Sequence, residues 1–268
     1  RGAASHVEGP MMVIAGAGSG KTRVLTYRIA HLISKGTDAF SILALTFTNK
    51  AAREMKDRIA KVIGDGEARN VWMGTFHSVF ARILRIESER INYPRNFTIY
   101  DTSDSRALIK DIVKGLGLDD KVYKAASVQS RISNAKNNLI DAKGYADNTD
   151  IMSEDTQAGR PRIHEVYRAY ESRCFRAQAM DFDDLLFKMN VLLRDFPDLL
   201  LKYQHKFQYI LVDEYQDTNF SQYVIIKQLA ALRENLCVVG DDAQSIYGFR
   251  GANIENILNF KKDYPDFA

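Results

Sequence analysis

The segment AGAGSGKT, residues 15–22, sets Gly16, Gly18 and Gly20 among small residues and follows them at once with Lys21 and Thr22. Glycines so spaced let backbone N–H groups converge on one anion without Cβ collisions. A helix beginning near Lys21 aims the positive end of its dipole at the same point. Lys21 adds a point charge suited to β- and γ-phosphates, and the Thr22 hydroxyl can ligate Mg2+. The P-loop pattern is met except at its first position, where Ala15 stands in place of glycine. The expectation is a site for ATP and Mg2+ built from Ala15, Gly16, Ala17, Gly18, Ser19, Gly20, Lys21 and Thr22. A second stretch, FQYILVDEYQDT at 207–218, ends an apolar run in Asp213 and Glu214. At the end of a parallel strand, Asp213 can hold the metal and Glu214 can polarise a water for attack on the γ-phosphate. Read alone, the two acids could equally end a strand and cap the next helix; the P-loop favours the chemical reading.

These groups need a scaffold that brings separate loops together. The runs MMVIA, ILALTF, FTIY, YILVD and LCVVG predict short buried parallel strands. Helical patterns lie between several of them. Leu25, Ile29, Leu32 and Ile33 share one helix face, and NKAAREMKDRIAKVI is rich in helix formers. Strand–helix alternation of this kind predicts an α/β fold, a parallel sheet covered on both faces. Residues 103–179 read differently, with amphipathic helices, a polar loop at 141–161 and no buried strand. The predicted organisation is an α/β domain in two segments, 1–102 and 180–268, interrupted by a helical insertion at 103–179.

Composition sets bounds. The chain has 268 residues, 46% hydrophobic and 26% charged, enough for a real core. A net charge of +3 gives bulk electrostatics little to say about an acidic partner. Residues 121–143 hold Lys121, Lys124, Arg131, Lys136 and Lys143 against Asp141 alone. Such a patch could touch duplex DNA or be a solvated helix face. Cys174 and Cys237 stand far apart in no metal-ligand spacing, as in a reduced, cytoplasmic protein. The apolar runs are too short for a membrane helix.

AGAGSGKT, LTFTNKAAREM, GTFHS, DEYQDT and VVGDDAQSIYGFRGA occur in this order. Together they resemble the UvrD/PcrA/Rep group of superfamily 1 DNA helicases over most of the chain outside the insertion. The resemblance implies a RecA-like ATP-driven motor, interrupted by a helical subdomain, that moves 3′ to 5′ on single-stranded DNA in repair or replication. It implies that Gln244 contacts the γ-phosphate, beside Lys21 and Glu214 in catalysis, and that Arg23 touches the nucleotide. It assigns Phe47, Asn49, Thr75, Phe76, His77, Tyr247, Phe249 and Arg250 to DNA. Aromatic rings that stack on any base, and polar groups that hold phosphates, suit a sequence-independent single strand. Relatives often carry Trp where Phe249 stands. Taken alone, Phe47 and Phe76 would be core residues. The family's second RecA-like domain and its arginine finger are not in these 268 residues. The chain is therefore expected to be the N-terminal motor part of a longer helicase that works at single-strand/duplex junctions, with little turnover of its own. A short non-catalytic nucleotide- or DNA-binding module, or part of a recombination helicase-nuclease, are the alternatives.

Overall fold

The structure is a computed structural model, and it describes residues 7–16, 20–241 and 253–268, with side chains from Glu255 in the last stretch. The strands among the described residues are β1 (Met11–Ile14), β2 (Ile42–Thr46), β3 (Trp72–Thr75), β4 (Thr98–Tyr100), β5 (Ala179–Asp181), β6 (Tyr209–Val212) and β7 (Leu236–Gly240). The first helices are α1 (Lys21–Ser34), α2 (Asn49–Ile63), α3 (Asp65–Asn70), α4 (Phe76–Glu87), α5 (Thr102–Gly115) and α6 (Ala125–Asn137). They continue as α7 (Ala142–Asp147), α8 (Thr149–Gln157), α9 (Ile163–Arg176), α10 (Phe182–Asp195), α11 (Pro197–Lys206), α12 (Phe220–Ala230) and α13 (Asn253–Asp263).

The chain forms two compact units, residues 1–79 with 193–268, and residues 80–192. In the first, five strands run parallel in the order β1-β7-β6-β2-β3. Successive strand side chains point to opposite faces. Ile42, Ala44, Leu211, Cys237 and Val239 join Leu25, Ile29 and Leu32 of α1 and Met55 and Ile59 of α2 in one core. The alternate residues Leu43, Leu45, Ile210, Val212 and Val238 are buried as well. The sheet is thus apolar on both faces, as the continuous hydrophobic runs require.

The second unit is helical and has its own core. Ile109 and Val113 of α5, Val128 and Ile132 of α6, and Val166 and Tyr170 of α9 pack together there. It also holds a small sheet that the sequence reading placed otherwise. FTIY was expected among the buried strands of the α/β domain, but β4 pairs with β5 in a separate two-stranded parallel sheet. Thr98 is exposed and Ile99 and Tyr100 are half-buried, so β4 lacks the two buried faces of a central strand. The helical unit is accordingly wider than residues 103–179. The WMGT segment, which alternates buried and half-buried residues, is the edge strand β3.

In the basic stretch at 121–143, Arg131 and Lys136 are paired within the fold, while Lys121, Lys124 and Lys143 are exposed. Lys136 is buried, with its Nζ 2.8 Å from Asp181 Oδ2 and 2.9 Å from Asp184 Oδ1. Asp181 and Asp184 also accept each other's backbone N–H, closing the first turn of α10. The Tyr170 hydroxyl donates to Asp181. Arg131 pairs with Glu154 and Asp155.

Removing one member of a buried ion cluster leaves charge in a poor medium and costs about 3–5 kcal/mol. Lys136→Met is expected to lower the unfolding free energy read from urea denaturation by an amount of that size, with a matching fall in the midpoint. Adding Asp181→Asn and Asp184→Asn should restore much of it, and a midpoint unchanged by Lys136→Met would contradict the buried cluster.

Candidate nucleotide site and neighbouring loops

Strand pairing fixes where the candidate residues meet. Ile14 is level with Gly240, Val212 with Val238, Leu45 with Val212, and Thr46 with Thr75. Because all these pairs are parallel, the loops that leave β1, β7, β6, β2 and β3 emerge at one edge. They carry the P-loop, Asp241, Asp213 with Glu214, Phe47 with Asn49, and Phe76 with His77.

The P-loop enters along Ala15, whose N–H donates to the Gly240 carbonyl at 3.2 Å. Gly20 ends it at φ 84°, a left-handed conformation that costs most side chains about 1–2 kcal/mol. Among the described residues no side chain caps α1, so its leading amides and positive dipole end suit an anion. By contrast α2 is capped by Thr48, α5 by Asp101 and α12 by Asn219.

Lys21 Nζ lies 2.7 Å from Asp241 Oδ2, and the Asp241 side chain is only 2% exposed. The sequence reading passed over Asp241. The signal was the same one that exposed Asp213, an acid directly after a buried apolar strand. Thr22 Oγ1 donates to Asp213 Oδ2 at 3.1 Å. Neighbouring ligands of an octahedral Mg2+ at about 2.1 Å lie about 3 Å apart, so the pair fits that ion. Burial raises the Asp213 carboxyl above its ordinary pKa. Its Oδ1 also accepts the N–H of Glu214 at 3.0 Å.

Glu214 sits at φ 49°, ψ 46°, a left-handed conformation uncommon outside glycine. The turn Tyr215–Asp217 follows it, with Asp217 N–H donating to the Glu214 carbonyl at 2.9 Å. Burial first, then the nearby Asp213 and Asp217 charges, raise its carboxyl pKa. Arg23 is exposed on α1, in a groove of about 410 Å³ shared with Tyr27, Arg58 and Lys61. Ala17, Gly18, Ser19, Gln244, Tyr247, Phe249 and Arg250 lie outside the described residues.

The next two loops differ from expectation at one ring. Phe76, expected to meet DNA, is 1% exposed. It packs against the half-buried Phe47 with ring centroids 5.2 Å apart, and so backs that ring instead of offering its own face to a base. Asn49 is exposed at the start of α2. It opens a groove of about 420 Å³ lined also by Arg53, Lys56, Gly74 and Ser78. Gly74 is required there, since a Cβ would stand 2.5 Å from Ser78 Oγ. The Thr75 hydroxyl accepts the Ser78 N–H at 3.2 Å, capping α4. Burial lowers the His77 pKa, so its ring is neutral at pH 7.

The chain matches the family described as the UvrD/REP helicase N-terminal domain over residues 1–265. It is 49% identical over 265 residues to proteins called ATP-dependent DNA helicase PcrA from Leuconostoc citreum and Staphylococcus aureus. It is 48% identical over 260 residues to the one from Staphylococcus epidermidis. The first two matches cover 98% of this chain and 35% of the relative, so the chain spans about a third of those proteins' length.

The Lys21–Asp241 pair carries a prediction for stability. Lys21→Met takes the cation from beside a buried carboxylate. It should destabilise by about 1–3 kcal/mol, since a lost charged partner leaves a desolvated group behind. Lys21→Met with Asp241→Asn should regain most of that in chemical denaturation. A loss in the double variant equal to the sum of the two single losses would mean the pair contributes no coupling.

Proposed function

The chain belongs to the UvrD/REP helicase family, and on that premise we propose that it is the ATP-binding part of a motor that moves 3′ to 5′ along single-stranded DNA in repair or replication. The observation that carries this reading is the shared edge of the parallel sheet, where the P-loop, the two acids and the polar and aromatic loops of β2 and β3 emerge together.

Backbone amides of Ala15 to Gly20 cradle the phosphates, and Lys21 moves from Asp241 to the β- and γ-phosphates. Thr22 and Asp213 would hold Mg2+, which would supply charge neutralisation on the phosphate oxygens. Glu214 orients the attacking water, Gln244 meets the γ-phosphate, and Arg23 lies beside the nucleotide. The raised pKa of Glu214 keeps this carboxylate more basic than an ordinary glutamate, which suits proton acceptance. Phe47, backed by Phe76, stacks on a base, and Asn49, Thr75 and His77 hold the strand. A neutral His77 does so as a hydrogen-bonding group, not a fixed cation. Tyr247, Phe249 and Arg250 extend the same track. A second RecA-like domain, from sequence such as the relatives carry beyond the matched third, supplies the opposite wall and the arginine finger, and a single-strand/duplex junction is the site of work in the cytoplasm.

Titration calorimetry tests the nucleotide half. Mg-ATP should bind the chain with modest affinity, and Lys21→Ala should abolish binding; equal affinity for both would overturn the assignment. An arginine finger is worth about 10³–10⁵ in rate, so the 268-residue chain alone should hydrolyse ATP negligibly. Robust DNA-stimulated hydrolysis, lost in Glu214→Gln, would contradict the need for a second wall.

The DNA half rests on the two phenylalanines. Phe47→Ala should weaken binding of labelled oligothymidylate by about 1–3 kcal/mol at fixed salt, with little change in melting temperature. Phe76→Ala should act mainly on stability, by about 3–5 kcal/mol. Fluorescence anisotropy beside thermal melts reads both, and unchanged DNA binding by Phe47→Ala would return Phe47 to the core.

A further inference from the structure

The turn that carries Glu214 is held from outside its own segment. Asn256, on α13, is 8% exposed. Its side-chain amide donates to the Thr218 carbonyl at 2.6 Å and to the Gln216 carbonyl at 3.2 Å. The two accepting carbonyls bracket Asp217, whose N–H bonds the Glu214 carbonyl. One carboxamide therefore ties down the C-terminal end of the turn whose N-terminal end is Glu214.

The turn is fixed on its other sides as well. The Gln216 side-chain Oε1 accepts the Asp241 N–H at 3.2 Å, tying it to the acid that pairs with Lys21. The glycine at 240 leaves room for this, since a Cβ there would stand 3.3 Å from that oxygen. Tyr215 packs edge-on against the fully buried Phe260 of α13 at 5.9 Å. At the far end of α13, Asp263 pairs with Lys227 of α12 at 2.8 Å and accepts from the Tyr223 hydroxyl.

A non-glycine residue in a left-handed conformation persists only where its surroundings over-determine it. Phe260 and Asp263 anchor α13 through packing and charge. Asn256 alone in that helix bonds directly to the backbone of the turn among the contacts given above. We propose that Asn256 is a positioning residue, whose amide holds the Gln216–Thr218 backbone so that Glu214 is aimed at the nucleotide. This rests on the proposed role of Glu214 in ATP hydrolysis. An alanine there keeps the helix but removes both donors, and a serine keeps one.

The test uses the full 268-residue chain, with amide hydrogen exchange, thermal melts and titration of Mg-ADP carrying a fluorescent ribose label. In Asn256→Ala the amides of Asp217 and Thr218 should exchange at least tenfold faster, with Asn256→Ser in between. Exchange in β6 and in the last turn of α13 should stay as in the parent, and so should the affinity for the labelled nucleotide. Unchanged exchange at Asp217 and Thr218 would overturn the proposal. So would faster exchange spread evenly through α13 and β6 in both variants, which marks a packing role only. Failure of the parent chain to bind the labelled nucleotide would instead overturn the functional reading, whatever the turn does.

Discussion

In-register parallel hydrogen bonding brings Ile14, Gly240, Val212, Thr46 and Thr75 to one edge of the sheet. A side-chain period of 2 makes this strict, because a one-residue slip would turn every core residue outward. The central strands β2, β6 and β7 are buried on both faces, which leaves them no tolerated alternative register. The loops are thus free to vary in chemistry while their starting points cannot move. Lys21, Thr22, Asp213 and Asp241 come from three different loops, yet two short contacts join them.

The charged groups at this edge of the sheet pair with one another. Lys21 faces an internal carboxylate, Thr22 donates to a second one, and Glu214 stands in a cluster with Asp213 and Asp217. The uncapped start of α1 contributes fixed dipoles that need no rearrangement.

Much of this was legible in the sequence, for identifiable reasons. The P-loop and the DEYQDT segment announce themselves because phosphate chemistry demands special backbone and special acids at short range. The strands YILV and LCVVG were visible because a strand buried on both faces is uniformly apolar. FTIY has the same look in one dimension, but its partner β5 lies about eighty residues away, and strand pairing across that distance leaves no local trace. WMGT escaped because an edge strand with a glycine and half-buried positions has no apolar run. The basic stretch at 121–143, open in the sequence between a DNA contact and a solvated face, is divided by the fold for a related reason. Charge counted along the chain cannot show that Lys136 turns inward to acids some 45 positions on. Phe76 and Phe47 look alike in sequence, and only burial separates the enclosed ring from the half-buried one.

The Lys136, Asp181 and Asp184 cluster has a consequence for how this sequence can drift. Lys136 is tolerated at this depth only beside its carboxylate partners, so losing the lysine alone strands both of them. A fully apolar replacement can match or exceed such a cluster in stability, but every route to it passes through an intermediate with a stranded charge. The helical unit is therefore held at this composition by the depth of the intermediates and not by the merit of the end point. Its exposed helix faces can change one residue at a time, while Lys136 can only change together with its carboxylate partners.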